Sequence, residues 1–381
     1  MRVAVLCLGR ITRDTGGQTY FNEILGPLST EPDIEVDVHY ADPDFVVPPT
    51  CRGVRYPLPA SLRSIGRVVA EALVAAWLRR GGYDVLLAPI NFLPPTWRGP
   101  CVTVQHNALA GKGADARRDG AWRALYRRLA SASTVDRSTA LIAVSEHLRS
   151  LLLSWYPDLD PARVHVVPLA PSGRLERTAD SLGTIPRERL VLVVGALWSH
   201  KRVGDALAAF GAIADELSDY RLEIIGPGAP EARRSLMDLA RDIGVVDRVT
   251  FRGHLSPEEL AASFRRARLL LFTSRVESFG LPVLEAMACG VPVVARRIAA
   301  LDELVAPAPA WVDVDAQPAQ IGRCALAVLK DEQLWTHHAE AGKKVAARYS
   351  WERTAALTAN VLRGVVEHGR VEAFVVATES Q

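Results

Sequence analysis

Lysine is nearly absent: Lys112, Lys201, Lys330, Lys343 and Lys344 are the only ones in 381 residues, and arginine carries almost all of the positive charge. That scarcity makes a loop lysine such as Lys201 conspicuous. Cysteine is scarce as well. Cys7, Cys51, Cys101, Cys289 and Cys324 are odd in number, widely spaced and contain no C-x-x-C pair, which argues against a disulfide framework and a cysteine zinc site. Neither sign of charge is in excess, with 45 basic against 43 acidic residues and a net charge of +2. No whole-protein field therefore points to nucleic acid, and any anion site has to be local. No apolar run is long enough to span a bilayer, and the best of them, Val68–Leu78, carries Glu71. Met1-Arg2 opens directly into the short run Val3–Leu8 without a signal-peptide pattern. No G-x-G-x-x-G occurs, which counts against a nicotinamide-binding Rossmann enzyme. The expected setting is the cytoplasm, including its membrane face.

What the chain does have is alternation. Short apolar, β-branched runs are separated by longer amphipathic stretches, the signature of βαβ units around parallel sheets. The first series is Val3–Leu8, Val36–Tyr40, Val85–Ala88, Val102–Gln105, Leu141–Val144 and Val164–Pro168. The second is Leu190–Val194, Leu222–Ile225, Val249–Phe251, Leu269–Phe272 and Val291–Ala295, with helical stretches such as Gly204–Leu217 and Glu231–Ile243 between them. Between the two series a polar stretch without apolar periodicity runs up to Arg189. The expected organisation is an N-terminal domain over 1–170, a linker over 171–189, a C-terminal domain over 190–350, and a helix and tail over 351–381 that could pack back on the first domain. In doubly wound folds of this kind ligands sit at the carboxyl ends of the strands.

The segment from Phe272 to Ala295 is the most informative. Leu269–Phe272 reads as a buried strand and Ser274–Leu281 as a loop; Pro282 suits the first helical position, with Glu285 in the first turn. Gly290 supplies a left-handed terminator and Pro292 stops the helix from continuing. The N–H groups of Phe279, Gly280 and Leu281 then point out of a helix N-terminus at the edge of a sheet, an arrangement that attracts anions. Glu277 and Glu285 frame it, and a carboxylate can accept two hydrogen bonds from vicinal hydroxyls. Taken singly, each glutamate also fits a plainer role, Glu285 complementing the helix dipole and Glu277 as a solvated loop charge.

Taken together, Ser274, Glu277-Ser278-Phe-Gly-Leu-Pro282, Glu285-Ala-Met-Ala288 and Gly290-Val-Pro-Val-Val-Ala295 closely resemble the E-x7-E signature of retaining glycosyltransferase family 4. The resemblance implies an α/β fold of the GT-B class, two Rossmann-like doubly wound parallel-sheet domains facing across a cleft. The N-terminal domain would take the acceptor and the C-terminal one the nucleotide sugar. It also implies that Glu277 contacts the donor sugar, that Ser278, Phe279, Gly280 and Leu281 contact sugar and phosphate, and that Glu285 contacts the ribose. Val194-Gly-Ala-Leu-Trp-Ser-His-Lys201-Arg202 looks like the family's G-R-L-x-x-x-K loop, whose cations bind the diphosphate. Lys201 matches, while Ala196 stands where an arginine belongs, and Arg202 is the residue available to replace it. Gly253-His254 matches the segment that borders the base. In the N-terminal half, Thr15-Gly16-Gly17-Gln18 resembles the glycine-rich loop that faces the donor phosphates. Gln105-His106-Asn107 resembles the family's His-Asp pair, which makes His106 a donor-sugar contact and transition-state partner.

The resemblance implies a metal-independent, retaining transfer of a hexosyl unit from a UDP- or GDP-sugar, UDP ahead of GDP, to a hydroxyl acceptor, with His106, Lys201 and Glu277 as the catalytic set. No other cofactor and no metal is expected. Asp158-Leu-Asp160 and Asp313-Val-Asp315 spell D-x-D, but neither is expected to follow a strand of a nucleotide-binding half, and both read as loop acids. A nucleotide-sugar epimerase, or a catalytically degenerate nucleotide-sugar-binding protein on the same fold, is the alternative. The acceptor, whether lipid carrier, polysaccharide or natural-product aglycone, is not legible. The basic amphipathic stretch 117–129, with Arg117, Arg118, Arg123, Arg127 and Arg128, reads as a core-packed helix with a solvated face and, secondarily, as a peripheral membrane contact.

Overall fold

The computed structural model describes residues 1–8, 16–56, 65–89, 91–94, 96–107, 121–181 and 185–368. Thr15 of the glycine-rich stretch and Arg117 and Arg118 of the basic stretch lie outside these residues. The chain divides into two units, Met1–Leu169 with the C-terminal helix Trp351–His368, and Ala170–Tyr349.

The first unit is built on β1 (Arg2–Cys7), β2 (Glu35–Tyr40), β3 (Arg52–Arg55), β4 (Val85–Ala88), β5 (Cys101–Gln105), β6 (Ala140–Ala143) and β7 (Val164–Val166). Their order in the sheet is β3-β2-β1-β4-β5-β6-β7, and every neighbouring pair is parallel. The second unit repeats the plan with β8 (Leu190–Val194), β9 (Arg221–Ile225), β10 (Val249–Gly253), β11 (Leu269–Phe272), β12 (Val293–Arg296) and β13 (Ala310–Val312), ordered β10-β9-β8-β11-β12-β13 and again parallel. Central strands such as Leu190-Val-Leu-Val-Val194 and Leu269-Leu-Leu-Phe272 are buried along their whole length, because helices cover both faces of a parallel sheet. The core of the second unit joins Val191 and Val193 to Leu207, Phe210, Ile224 and Leu271. In each sheet the strand order reverses once, between β1 and β4 and between β8 and β11, so each unit has a crevice at that point.

Helix ends are fixed by local chemistry. Ser256 caps the helix Pro257–Arg266 in a capping box, its Oγ accepting from Glu259 N at 3.2 Å while Glu259 Oε2 accepts from Ser256 N at 2.8 Å. Arg187 donates to the carbonyls of Phe264, Ala267, Cys289 and Gly290, closing the C-terminal ends of two helices with one cation.

Several expectations need correction. Both edge strands β3 and β13 were illegible: Arg52-Gly-Val-Arg55 is largely exposed and lacks apolar alternation, and Ala310-Trp-Val312 is only three residues long. The stretch 171–189 is not a free linker. Gly173–Ser181 forms a helix that packs on Pro257–Arg266 and belongs to the second unit. The helix expected over Gly204–Leu217 is regular only through Val203–Gly211, after which three-residue turns such as Ala214 N to Gly211 O take over. Asp313-Val-Asp315, contrary to expectation, directly follows a strand of the second unit, β13. Its acids make a local turn, Asp315 N donating to Asp313 Oδ1, and Asp315 pairs with Arg275 at 3.2 Å.

Candidate active site

Two loops flank the crevice of the second unit, one after β8 and one after β11. The first carries Lys201 and the second Glu277, and the lysine Nζ lies 2.5 Å from Glu277 Oε1. Their side chains are only 16% and 10% exposed, so this pair is held in place rather than waving in solvent. The loops are stitched together: Thr273 Oγ1 donates to the carbonyls of Lys201 and Arg202, Ser274 Oγ to that of His200, and Arg275 N also to His200 O. Beneath them β8 and β9 are followed directly by Gly195 and Gly226, whose backbones touch. A Cβ on Gly226, where φ is +145°, would overlap the Gly195 carbonyl, so this approach requires glycine.

Arg202 does not stand free to replace the arginine missing at Ala196. It takes the left-handed conformation between a short 3₁₀ turn and the helix Val203–Gly211, and its guanidinium pairs with Asp205 at 2.9 Å. Asp205 is shared with Arg296, the last residue of β12, at 2.8 Å. Arg296 is 1% exposed and also donates to the carbonyls of Thr273 and Ala316. Arg296 and Asp205 thus clamp the strand end, the Lys201 loop and the β11 loop. Sequence reasoning missed both. The one available signal was an arginine closing the apolar run Val293-Val-Ala-Arg296.

The β11 loop ends at Gly280, with φ of +102°, which caps the helix Leu281–Ala288 without a side-chain hydrogen bond. A Cβ there would collide with Leu301. Pro282 is the second residue of the helix and Glu285 its fifth, one residue deeper than expected and past the first turn, which holds no acid. Glu285 is 8% exposed, buried rather than in solvent. Phe279 is buried with its ring edge-on to Tyr349 at 6.1 Å, so its side chain belongs to the core and only its backbone can serve a ligand. Gly253 closes β10, a strand removed from the crevice by β9, and its carbonyl accepts from Gly226 N at 2.7 Å; His254 after it is exposed. The structure therefore joins Lys201, Glu277, Ser274 and Thr273 directly, and sets Gly253 and His254 apart.

In the first unit the described residues at the strand-order reversal are Gly16 and Gly17, Pro89 and Asn91, and His106. Gly16 and Gly17 begin the helix Gly16–Ser29, where a loop was expected, and Gly17 backs onto the His106 ring. The ring packs against Tyr20 at 5.1 Å, and Asn91 Oδ1 accepts from the His106 backbone N at 2.6 Å. His106 Nε2 lies 2.8 Å from the Pro89 carbonyl, which can only accept, so Nε2 carries the proton. Nδ1 is a buried lone pair without a partner among the described residues. Burial pushes the imidazole down to about 4, against a smaller upward pull from the Pro89 bond. His106 is thus a neutral group at physiological pH, able to accept one hydrogen bond.

That assignment predicts a pH profile. Between about pH 6 and 8, kcat/KM should show no step from His106, and a step that vanishes in His106→Gln would overturn the neutral tautomer. Stability behaves differently. The folded value of about 4 lies below the ordinary 6.5, so the unfolded chain binds the extra proton first. The stabilising contribution is full above about pH 6.5 and is lost as pH falls toward 4. His39 and His165, also lowered to about 4 by burial, act in the same direction. Melting temperatures should fall from pH 7 to pH 5, with a shallower slope in His106→Gln.

Two family models match the chain in tandem, "Glycosyltransferase Family 4" over residues 16–170 and "Glycosyl transferases group 1" over 176–345. The chain belongs to glycosyltransferase family 4. The first match contains Gly17 and His106, and the second Lys201, Glu277 and Glu285. This family 4 glycosyltransferase is similar to the D-inositol 3-phosphate glycosyltransferase of Corynebacterium glutamicum, 28% identical over 290 residues, 72% of this chain and 69% of the relative. The like-named protein of Segniliparus rotundus is 30% identical over 265 residues, 67% of this chain, and the match spans about three fifths, 59%, of that relative's length. Among solved structures, the sucrose-phosphate synthase of Thermosynechococcus elongatus aligns with a TM-score of 0.75 at 20% identity, covering 95% of this chain and 98% of that one. Anabaena HepE in complex with UDP-glucose aligns at 0.69 and 15% identity, covering 95% and 98%. The two-unit GT-B fold of this glycosyltransferase is thereby shown.

Proposed function

We propose that this enzyme moves a hexosyl unit, with retention at the anomeric carbon and without a metal, from a nucleoside diphosphate sugar to a hydroxyl acceptor, UDP being preferred to GDP as the nucleotide. The observation that carries the reading is the Lys201–Glu277 pair at the crevice of the second unit, beside the N-terminus of Leu281–Ala288. The lysine and the helix N-terminus offer positive potential to a departing diphosphate. Glu277 offers a carboxylate to sugar hydroxyls, and Glu285, one turn into the helix, to the ribose. His106 offers Nδ1 to a hydroxyl of the transferred sugar. No side chain of this set is a free nucleophile, so retention is assigned to attack from the face the leaving group vacates, the acceptor proton passing to a donor phosphate oxygen. No further cofactor takes part. The UDP-glucose bound by HepE and the acceptor in the printed name of the inositol phosphate enzymes support testing UDP-sugars and phosphorylated cyclitols alongside lipid carriers, polysaccharides and aglycones. The proposed location is the cytoplasm.

The test is thermal stabilisation by UDP, GDP, TDP, CDP and ADP in the presence of EDTA, followed by turnover of the matching sugar nucleotides. A nucleotide at about a hundred times its Kd should stabilise by about 2.7 kcal/mol. The configuration of the new glycosidic bond, read by NMR, should match that of the donor. An inverted product, or turnover abolished by EDTA, would overturn the corresponding part of the reading, and an epimerised donor formed without acceptor would replace it with the epimerase.

A further inference from the structure

The helix Ile65–Leu78 of the first unit has two apolar sides. Ala70, Val74, Ala75 and Leu78 are buried against the sheet, as the core-facing side of a crossover helix should be. Its other side is apolar too: Val69, Leu73 and Trp77 are 52%, 68% and 55% exposed at i, i+4 and i+8, with Ala72 and Ala76 between them. A helix covering a sheet ordinarily turns charge to solvent. Here the exposed positions among the described side chains of the helix, Val69, Leu73 and Trp77, are all apolar. The ridge runs straight into Arg79 and Arg80, both exposed. Next to its end stands Tyr56, its ring 6.4 Å from that of Trp77, and before Tyr56 lie Arg52 and Arg55, exposed on the edge strand β3.

We infer that this ridge docks the enzyme on an anionic bilayer surface, with Leu73 and Trp77 seated at the boundary of headgroups and acyl chains and the arginines on lipid phosphates. The pattern is that of an interfacial helix: large apolar groups in a row, an amphipathic Trp and Tyr where the row meets polar ground, and arginines around it. The charge around the ridge selects the occupant, since four exposed arginines complement a negative lipid surface, whereas a second copy of this face would bring like charges together. No helix among the described residues is long and apolar enough to cross a membrane, so the contact lies on the surface. This places the docking face on Ile65–Leu78 rather than on the basic stretch 117–129, of which Arg128 and Leu129 are exposed. It is independent of the donor-site reading.

The test is co-sedimentation of the full chain with vesicles of phosphatidylcholine alone and of equal parts phosphatidylcholine and phosphatidylglycerol. Binding is expected to the anionic vesicles only. It should fall at least about tenfold in Leu73→Glu/Trp77→Glu, and by about fivefold for each of Arg79→Gln and Arg80→Gln. Leu129→Glu should bind like wild type. An unchanged melting temperature and circular dichroism spectrum in these variants separate lost docking from lost folding. Wild-type binding in Leu73→Glu/Trp77→Glu, or loss only in Leu129→Glu, overturns the assignment. So does a wild-type dimer in solution that binds no vesicle and dissociates when Leu73 and Trp77 are changed.

Discussion

Lys201→Ala is expected to lower turnover by about 10²–10³-fold, the usual effect of removing one preorganised donor from developing negative charge. Lys201 is suited to that role because its position is determined twice. Its backbone carbonyl accepts from Thr273, and its Nζ is held by Glu277 with the Phe272 ring 5.7 Å away. The loss should fall mainly on kcat if the lysine acts as the diphosphate departs, and mainly on KM if it only binds the donor. Removing the lysine also leaves the Glu277 carboxylate, 10% exposed, without its cation, so part of the effect belongs to Glu277. A double-mutant cycle with Glu277→Gln apportions the two. Lys201→Arg should recover little, because a planar fork does not reproduce a point charge at 2.5 Å from its partner. Turnover close to wild type in Lys201→Ala would remove the residue from the chemistry.

Arg296→Met should be the most destabilising single change at the site. Met fills most of the volume but abandons Asp205 and the carbonyls of Thr273 and Ala316, all satisfied by one guanidinium that is 1% exposed. Breaking one side of a buried pair costs about 3–5 kcal/mol, and Arg202, still paired with Asp205, should hold the loss near the lower figure. For a unit of this size that corresponds to a melting transition lowered by about 10 °C. A differential scan that resolves the two units should show the shift in the second alone. At temperatures where the variant remains folded, the donor KM should rise, since the loops bearing Lys201 and Glu277 lose their common anchor. An unshifted transition would show that the clamp contributes nothing to the fold.

Central elements and the donor loops were legible in the sequence for one reason: their chemistry is local. A strand such as the apolar run Leu190–Val194 needs no partner to be recognised, and the spacing from Glu277 through Pro282 to Gly290 writes a loop, a helix start and a helix end in one short stretch. What escaped depends on residues far apart. β3 and β13 are strands only because β2 and β12 offer them an edge. Glu285 lies one residue deeper, past the first turn, because the helix starts at Leu281, one residue ahead of the proline that marked it. Arg296 and Asp205 meet across 91 positions, and Arg202 looked available because its partner was not visible. The tautomer of His106 likewise depends on Pro89, which belongs to the loop after another strand.

The first unit is discontinuous, and that has a consequence during synthesis. The helix Trp351–His368 packs on Gly16–Ser29 and over β4, β5 and β6. Thr354 donates to Pro168 O, Thr358 meets the Tyr20 hydroxyl, and Arg363 pairs with Glu31 and Asp33. Trp351 and His106 pack on the same tyrosine, Tyr20. A chain leaving the ribosome can finish Ala170–Tyr349 while its earlier half still lacks this cover, so the part made first is completed last. The nascent enzyme therefore carries an unsealed apolar surface around Tyr20 until the last helix emerges, and a chain released before that helix is made would be a substrate for chaperones and proteases rather than for sugars.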